Sequence, residues 1–187
     1  MKRFVDQVAK ALADCLEPWL TESVWIDKDR LHAGDLIDDA LAGALCRSVC
    51  MIVLYSPTYQ HHKYCLRELK AMQILQERRM RMLERSFGRD RGLIIPLVLR
   101  GTKEDLPEDI RHVHFGDFST FSLHNDKLAD NPLFVAKIDE IARFIYEMHT
   151  CFQQVDCNPC ADCGSFQLPP ESDVEPWQLR SRAVMPF

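Results

Sequence analysis

No uninterrupted apolar stretch opens this chain of 187 residues. Lys2, Arg3, Asp6, Lys10 and Asp14 interrupt its first turns, which excludes a secretory signal or a membrane-spanning helix there and leads us to expect a cytoplasmic protein with no membrane role. A surplus of basic charge is also missing. With 23 Lys and Arg against 28 Asp and Glu, the net charge is −5, whereas nucleic acids and anionic membranes require basic residues in excess on one face. Internal repeats are lacking too. Nor do the eight cysteines read as a disulfide framework: Cys15, Cys46, Cys50 and Cys65 sit inside regular apolar patterns, where free buried thiols are common. A reducing compartment fits. What is present is 47% apolar content, enough for one good core but not for two full domains. The expected organisation is one domain over residues 1–152 and a tail rich in Cys and Pro over 153–187.

Periodicity supplies the elements. Phe4, Val8, Leu12 and Leu16 recur at four-residue steps, predicting an amphipathic helix that Pro18 closes. Residues 23–27 read as a short strand, and 27–34 as polar loop. Asp35 can cap a helix with Ile37, Leu41 and Leu45 inward. The run 49–55 is unbroken and apolar, the pattern of a strand covered on both faces, and Ser56-Pro57 stops it. A long helix is predicted from Lys63, with Leu66, Leu69, Met72 and Leu75 inward, fraying into arginines before Gly88. Residues 93–99 form the next strand, which Pro96 marks as an edge or a bulge. Residues 113–118 predict a last short strand, and Phe134, Ile138, Ile141, Ile145 and Met148 a final helix. Strands alternating with helices imply a parallel sheet flanked by helices, with ligands at the carboxyl ends of the strands.

Four segments, in order, carry a resemblance: Trp25-Ile-Asp-Lys before a loop containing Gly34; Ala40 through Cys46 followed by Arg-Ser; Met51-Ile-Val-Leu-Tyr-Ser-Pro-Thr-Tyr; and Tyr64-Cys-Leu-Arg-Glu-Leu. Over roughly residues 3–150 the chain resembles a TIR (Toll/interleukin-1 receptor) domain, since their combined order and spacing are far more specific than any one motif. The resemblance implies a flavodoxin-like α/β fold with a five-stranded parallel sheet. For many members it also implies cleavage of NAD+ at the nicotinamide–ribose bond. Two features depart from the family. Tyr64 stands where tryptophan is common, keeping an aromatic face with less stacking area. The chain also opens directly in the first helix, without the central first strand of the family. Its absence leaves backbone groups unpaired beside the next strands, which suggests a truncated start.

The chemistry narrows the candidates. Nicotinamide leaves NAD+ as a neutral base, so one carboxylate that stabilises positive charge on the ribose suffices, unlike the pair used in ordinary glycoside hydrolysis. Glu68, in the first turns of the helix after the 49–55 strand, has the right place for this catalytic role; the plainer reading is a charge complementing the helix N-terminus. Tyr64, one turn earlier, can stack on a base or simply close the helix start. Asp27 can hydrogen-bond a ribose or shape its loop, and Ser56 and Tyr59 are placed similarly as substrate-binding candidates. His61 and His62 lack ligand spacing and receive no role.

Outside that site, the arginines at 78, 79, 81, 85, 89 and 91 read as a solvated helix end, with phosphate or protein docking as the alternative. Cys157, Cys160 and Cys163, with Cys151 upstream, offer weak zinc ligands in what otherwise reads as a flexible, reduced tail. No cofactor is expected, NAD+ being the substrate. Two functions compete. One is an NAD+ glycohydrolase or cyclase, active as a homo-oligomer in signalling or defence. The other is a non-catalytic adaptor that docks other TIR domains through residues 28–36, between Lys28 and Leu36. A flavodoxin-like nucleotide binder or nucleoside glycosyl-transfer enzyme is a third reading, which the Tyr64–Leu69 segment tells against.

Overall fold

The computed structural model describes residues 2–21, 24, 36–88, 91–113, 116–121, 127–155, 161 and 163–176. Helix α1 (Lys2–Leu16) buries Phe4, Val8, Leu12 and Leu16, the stripe its spacing predicts. Helix α2 (Ile37–Arg47) has no side-chain cap, but Asp38 and Asp39 in its first turn and Arg47 in its last complement the helix dipole. Strand β1 (Met51–Tyr55) leads through a tight turn to the long helix α3 (Lys63–Phe87). Strand β2 (Ile94–Val98), the single turn α4 (Glu108–Arg111) and the short strand β3 (Gly116–Asp117) follow. Helix α5 (Pro132–Gln153) starts with Pro132, whose missing N–H costs nothing in a first turn. Its cap is Asn131, which accepts hydrogen bonds from the Leu133 and Phe134 amides at 3.0 and 3.3 Å.

Among the described residues the sheet is parallel, in the order β1-β2-β3. Alternation along β2 divides the core in two. Ile95, Leu97 and Leu99 join Phe4, Val8 and Leu12 of α1 and Phe134, Ile138 and Ile145 of α5. Ile94 and Val98 turn the other way, meeting Val53 and Tyr55 of β1 and Leu69, Met72 and Leu75 of α3. Helices therefore cover both faces, which is the α/β architecture of the flavodoxin type. The short apolar runs of the sequence are strands that must satisfy two cores at once. Met51, Ile52 and Leu54 of β1 are only half-buried, whereas every residue of β2 is buried.

Pro96 does not mark an edge: it lies in the middle strand, opposite Val53. The Leu99 amide donates to the Tyr55 carbonyl, so the amides of β2 that face β1 belong to alternate residues 95, 97 and 99. The position of Pro96 faces the β3 side, where among the described residues pairing starts at Leu97 with Gly116, so the missing N–H costs no bond to β1.

Other expectations need correction. Ile37 is 49% exposed rather than inward, because α2 buries Leu41, Ala42, Ala44 and Cys46 instead. Arg79 is buried at 2% exposure, not solvated. Cys46 is bonded to Cys163 in a disulfide across 117 residues, and residues 163–176 include a buried Leu168 that packs on α2 and α3. The expected strand at 23–27 and the cap Asp35 lie outside the described residues. Among the described residues no helix is long and apolar enough to cross a membrane.

Candidate functional site

The carboxyl end of β1 carries most of the candidates. Tyr55 ends the strand and is fully buried. The next residues turn tightly, the Tyr59 amide donating to the Ser56 carbonyl at 2.8 Å. Ser56 is buried at 7% exposure, its hydroxyl 3.0 Å from that of Thr58. The Tyr59 ring lies 6.4 Å from that of Tyr55, and its hydroxyl donates to the Cys65 carbonyl in the first turn of α3 at 3.1 Å. Burial pushes the Tyr59 hydroxyl well above the ordinary tyrosine range, and the negative charges available to Cys65 and Glu68 push it further.

Glu68 is half-buried in the second turn of α3, close enough for its charge to act on Tyr59. Tyr64 is 47% exposed, with the Arg67 guanidinium 5.4 Å from its ring centroid. The structure thus gathers Ser56, Tyr59 and Glu68 where β1 hands over to α3, and leaves Tyr64 at the surface beside them. Asp27 lies outside the described residues, as do Trp25 and all of the 28–36 loop except the exposed Leu36. His61 and His62 are exposed.

Two further carboxylates stand at the ends of the neighbouring strands, and neither was singled out in the sequence. Past β2, Asp105 accepts from the Thr102 amide at 2.7 Å and its hydroxyl at 3.2 Å, closing a capping box. The Tyr55 hydroxyl donates to the Asp105 carbonyl at 3.1 Å. Gly101 has φ +91, and a Cβ there would come within 2.8 Å of the Asp105 carboxylate, so both the conformation and the space call for glycine. At the end of β3, Asp117 accepts from the Ser119 hydroxyl at 2.6 Å and its amide at 2.9 Å. Those bonds hold its carboxyl below the usual range. The signals were readable: Thr-x-x-Asp at 102–105 is a cap pattern, and Asp-x-Ser at 117–119 is a turn pattern.

Arg67 carried no such signal. Buried at 7% exposure, it pairs with both carboxylate oxygens of Asp38 on α2, at 3.2 and 2.7 Å, and donates through Nε to the Pro169 carbonyl at 2.6 Å. Its pKa rises chiefly through the Asp38 hydrogen bond. A single side chain therefore ties α2, α3 and the tail together one residue before Glu68. A cavity of about 420 Å³ lies on the neighbouring face of α3, between Leu66, Leu69, Lys70 and Gln73 on one side and residues 172–176 on the other. Glu68 does not line it.

For the zinc candidates, Cys163 is engaged with Cys46 and Cys151 is half-buried on α5, while Cys157 and Cys160 lie outside the described residues. The described residues contain no cluster of His, Cys, Asp and Glu able to hold a metal.

Comparison with known families gives one match: a family described as TIR domain, over residues 2–130. The match spans more than half of the 187 residues and covers every strand described above. No curated protein and no solved structure matches the chain. The chain belongs to the TIR-domain family.

Proposed function

We propose that this TIR-domain chain cleaves NAD+ at the bond between nicotinamide and ribose, with Glu68 as the catalytic carboxylate. The observation that carries the reading is the position of Glu68: a half-buried carboxylate on α3, just past the carboxyl end of β1 and electrostatically close to Tyr59, where an open α/β sheet takes its ligands. As the glycosidic bond breaks, its electron pair moves to the nicotinamide nitrogen and cancels the positive charge of the pyridinium. The leaving group is then neutral and requires no acid. Positive charge develops on the ribose, and an ionised Glu68 in a partly desolvated site stabilises it. Water at the anomeric carbon completes hydrolysis; an internal nucleophile gives a cyclic product. Tyr64 supplies an exposed ring for stacking on a base. Ser56, Tyr59 and Asp27 are the remaining candidates for substrate contact, and we place the protein in the cytoplasm, active as a homo-oligomer.

A second reading is favoured by Leu36 and Ile37, which are 73% and 49% exposed where residues 28–36 enter α2. Apolar side chains displayed at the end of that loop suit docking on another TIR domain. In this reading the chain is an adaptor without catalysis.

Nicotinamide release from NAD+, measured at high protein concentration for the parent and for Glu68→Gln, separates the two. Release by the parent, reduced at least about a hundredfold in the variant, establishes the enzyme. No release from a folded parent that still self-associates moves the assignment to the adaptor.

A further inference from the structure

We infer that Cys46 and Cys163 form a redox-operated latch, which holds residues 163–176 in the groove between α2 and α3 and which a dithiol reductant opens. The two Cα atoms lie 5.4 Å apart, within the ordinary span of a disulfide. Cys46 faces inward from α2 at 3% exposure, and Cys163 is half-buried where the strap begins. Downstream, Leu168 and Phe166 settle against Leu41, Ala42 and Leu45 of α2 and against Ala71 of α3. Two polar contacts follow along α3: Arg67 to the Pro169 carbonyl at 2.6 Å, and Lys63 to Glu171 at 2.6 Å.

The strap's non-covalent contacts include buried Leu168 and Pro169, half-buried Phe166, the hydrogen bond from Arg67 and the exposed Lys63–Glu171 ion pair, and the last contributes little. The only regular structure within 163–176 is a single 3-10 turn at Glu171–Asp173. Ordering these residues costs conformational entropy that the contacts must offset, and the covalent bond lowers that cost by holding the start of the strap beside α2. In a reducing compartment, a bridge of this kind is a sensor rather than a permanent brace.

The chemistry balances with a dithiol as co-reactant. One reductant thiolate attacks the Cys163 sulfur, which is the more accessible of the pair. The Cys46 sulfur leaves with the bonding electrons and takes up a proton. The second thiol of the reductant then attacks the mixed disulfide, giving the oxidised reductant and a Cys163 thiol. Freed of its strap, the groove bares Leu41, Ala42 and Ala71 on the side of α3 that also carries Arg67. This inference does not depend on whether Glu68 acts on NAD+.

The test uses the full chain. Protein purified without reductant and with free thiols blocked is digested under non-reducing conditions, and a peptide joining Cys46 to Cys163 is expected. Amide hydrogen exchange is then compared for the oxidised protein, for protein reduced with dithiothreitol and for Cys163→Ser. Exchange in residues 163–176 should rise on the order of tenfold or more on reduction. Cys163→Ser should match the reduced state without dithiothreitol, and Cys151→Ser should keep the switch. Absence of the linked peptide overturns the inference. So does exchange in 163–176 that, after reduction, is no faster than in β2, which would mean that the segment opens only with the whole domain.

Discussion

At 2% exposure the Arg79 guanidinium donates to the carbonyl oxygens of Cys46 and Ser48, which end α2, and lies 5.7 Å from the Phe152 ring centroid. Replacing it by alanine strands those carbonyls in a dry interior and removes the packing of its aliphatic stem. Arg79→Ala should therefore destabilise the protein by about 2–4 kcal/mol, whereas Arg78→Ala, at an exposed position, should stay within about 0.5 kcal/mol. Urea unfolding of the two variants checks the contrast. Helical spacing sets Arg79 apart from Arg78, since it lies four residues from both Leu75 and Leu83, which are buried. The end of α2 then supplies the orphan carbonyls that a buried guanidinium can satisfy. Cys50 shows the opposite case. Its apolar neighbours mark it as a buried thiol, and burial pushes it up to about 12, so it stays protonated at neutral pH.

Among the elements, β3 leans on one turn. Among the described residues Gly116 and Asp117 pair with β2, the Phe118 amide donates to the Val98 carbonyl, and the strand is closed by the hydrogen bonds from Ser119 to Asp117. Those bonds hold the Asp117 pKa below the ordinary aspartate value of 3.8 in the folded state. The sign follows from linkage: a depressed carboxylate contributes stability above its unfolded pKa, and loses it as pH falls through the folded one. Ser119→Ala should raise the Asp117 pKa. The variant should be less stable than the parent at neutral pH, with the gap closing as pH falls below 3.8. An NMR titration of the Asp117 carboxyl together with denaturant unfolding at several pH values tests this; an unchanged pKa would show that the amide of Ser119 alone sets it. The helices were more legible than the strands. Every residue that the helical spacing turned inward on α1, α3 and α5 is buried, because an amphipathic helix meets its core along one stripe, although α3 also buries Arg67, Ala71, Arg79 and Leu83. A strand covered on both faces has no polar side to give its register away, and so Pro96 was misplaced at an edge.

For the whole molecule, the bridge between Cys46 and Cys163 closes a loop of 117 residues. A cross-link of that span contributes about 2–4 kcal/mol, mainly by restricting the unfolded chain. Reduction should lower the melting temperature by roughly 5–15 °C for a chain of this size, which paired thermal scans with and without dithiothreitol measure. No shift would mean that the oxidised and reduced chains unfold from equally restrained states. The sequence by itself determined the class of fold, the alternation of helices and strands, the inward faces of three helices and the family, because these rest on periodicity and on short segments in order. It also pointed to Glu68, whose place just after β1 follows from element order alone. Only the tertiary structure decided that Tyr59 stands near Glu68, that Arg67 joins two helices to the tail, and that Cys46 meets Cys163. Those are contacts between residues distant in the chain, or between side chains whose direction depends on packing, and no local pattern encodes which partners the collapse of the chain will bring within reach.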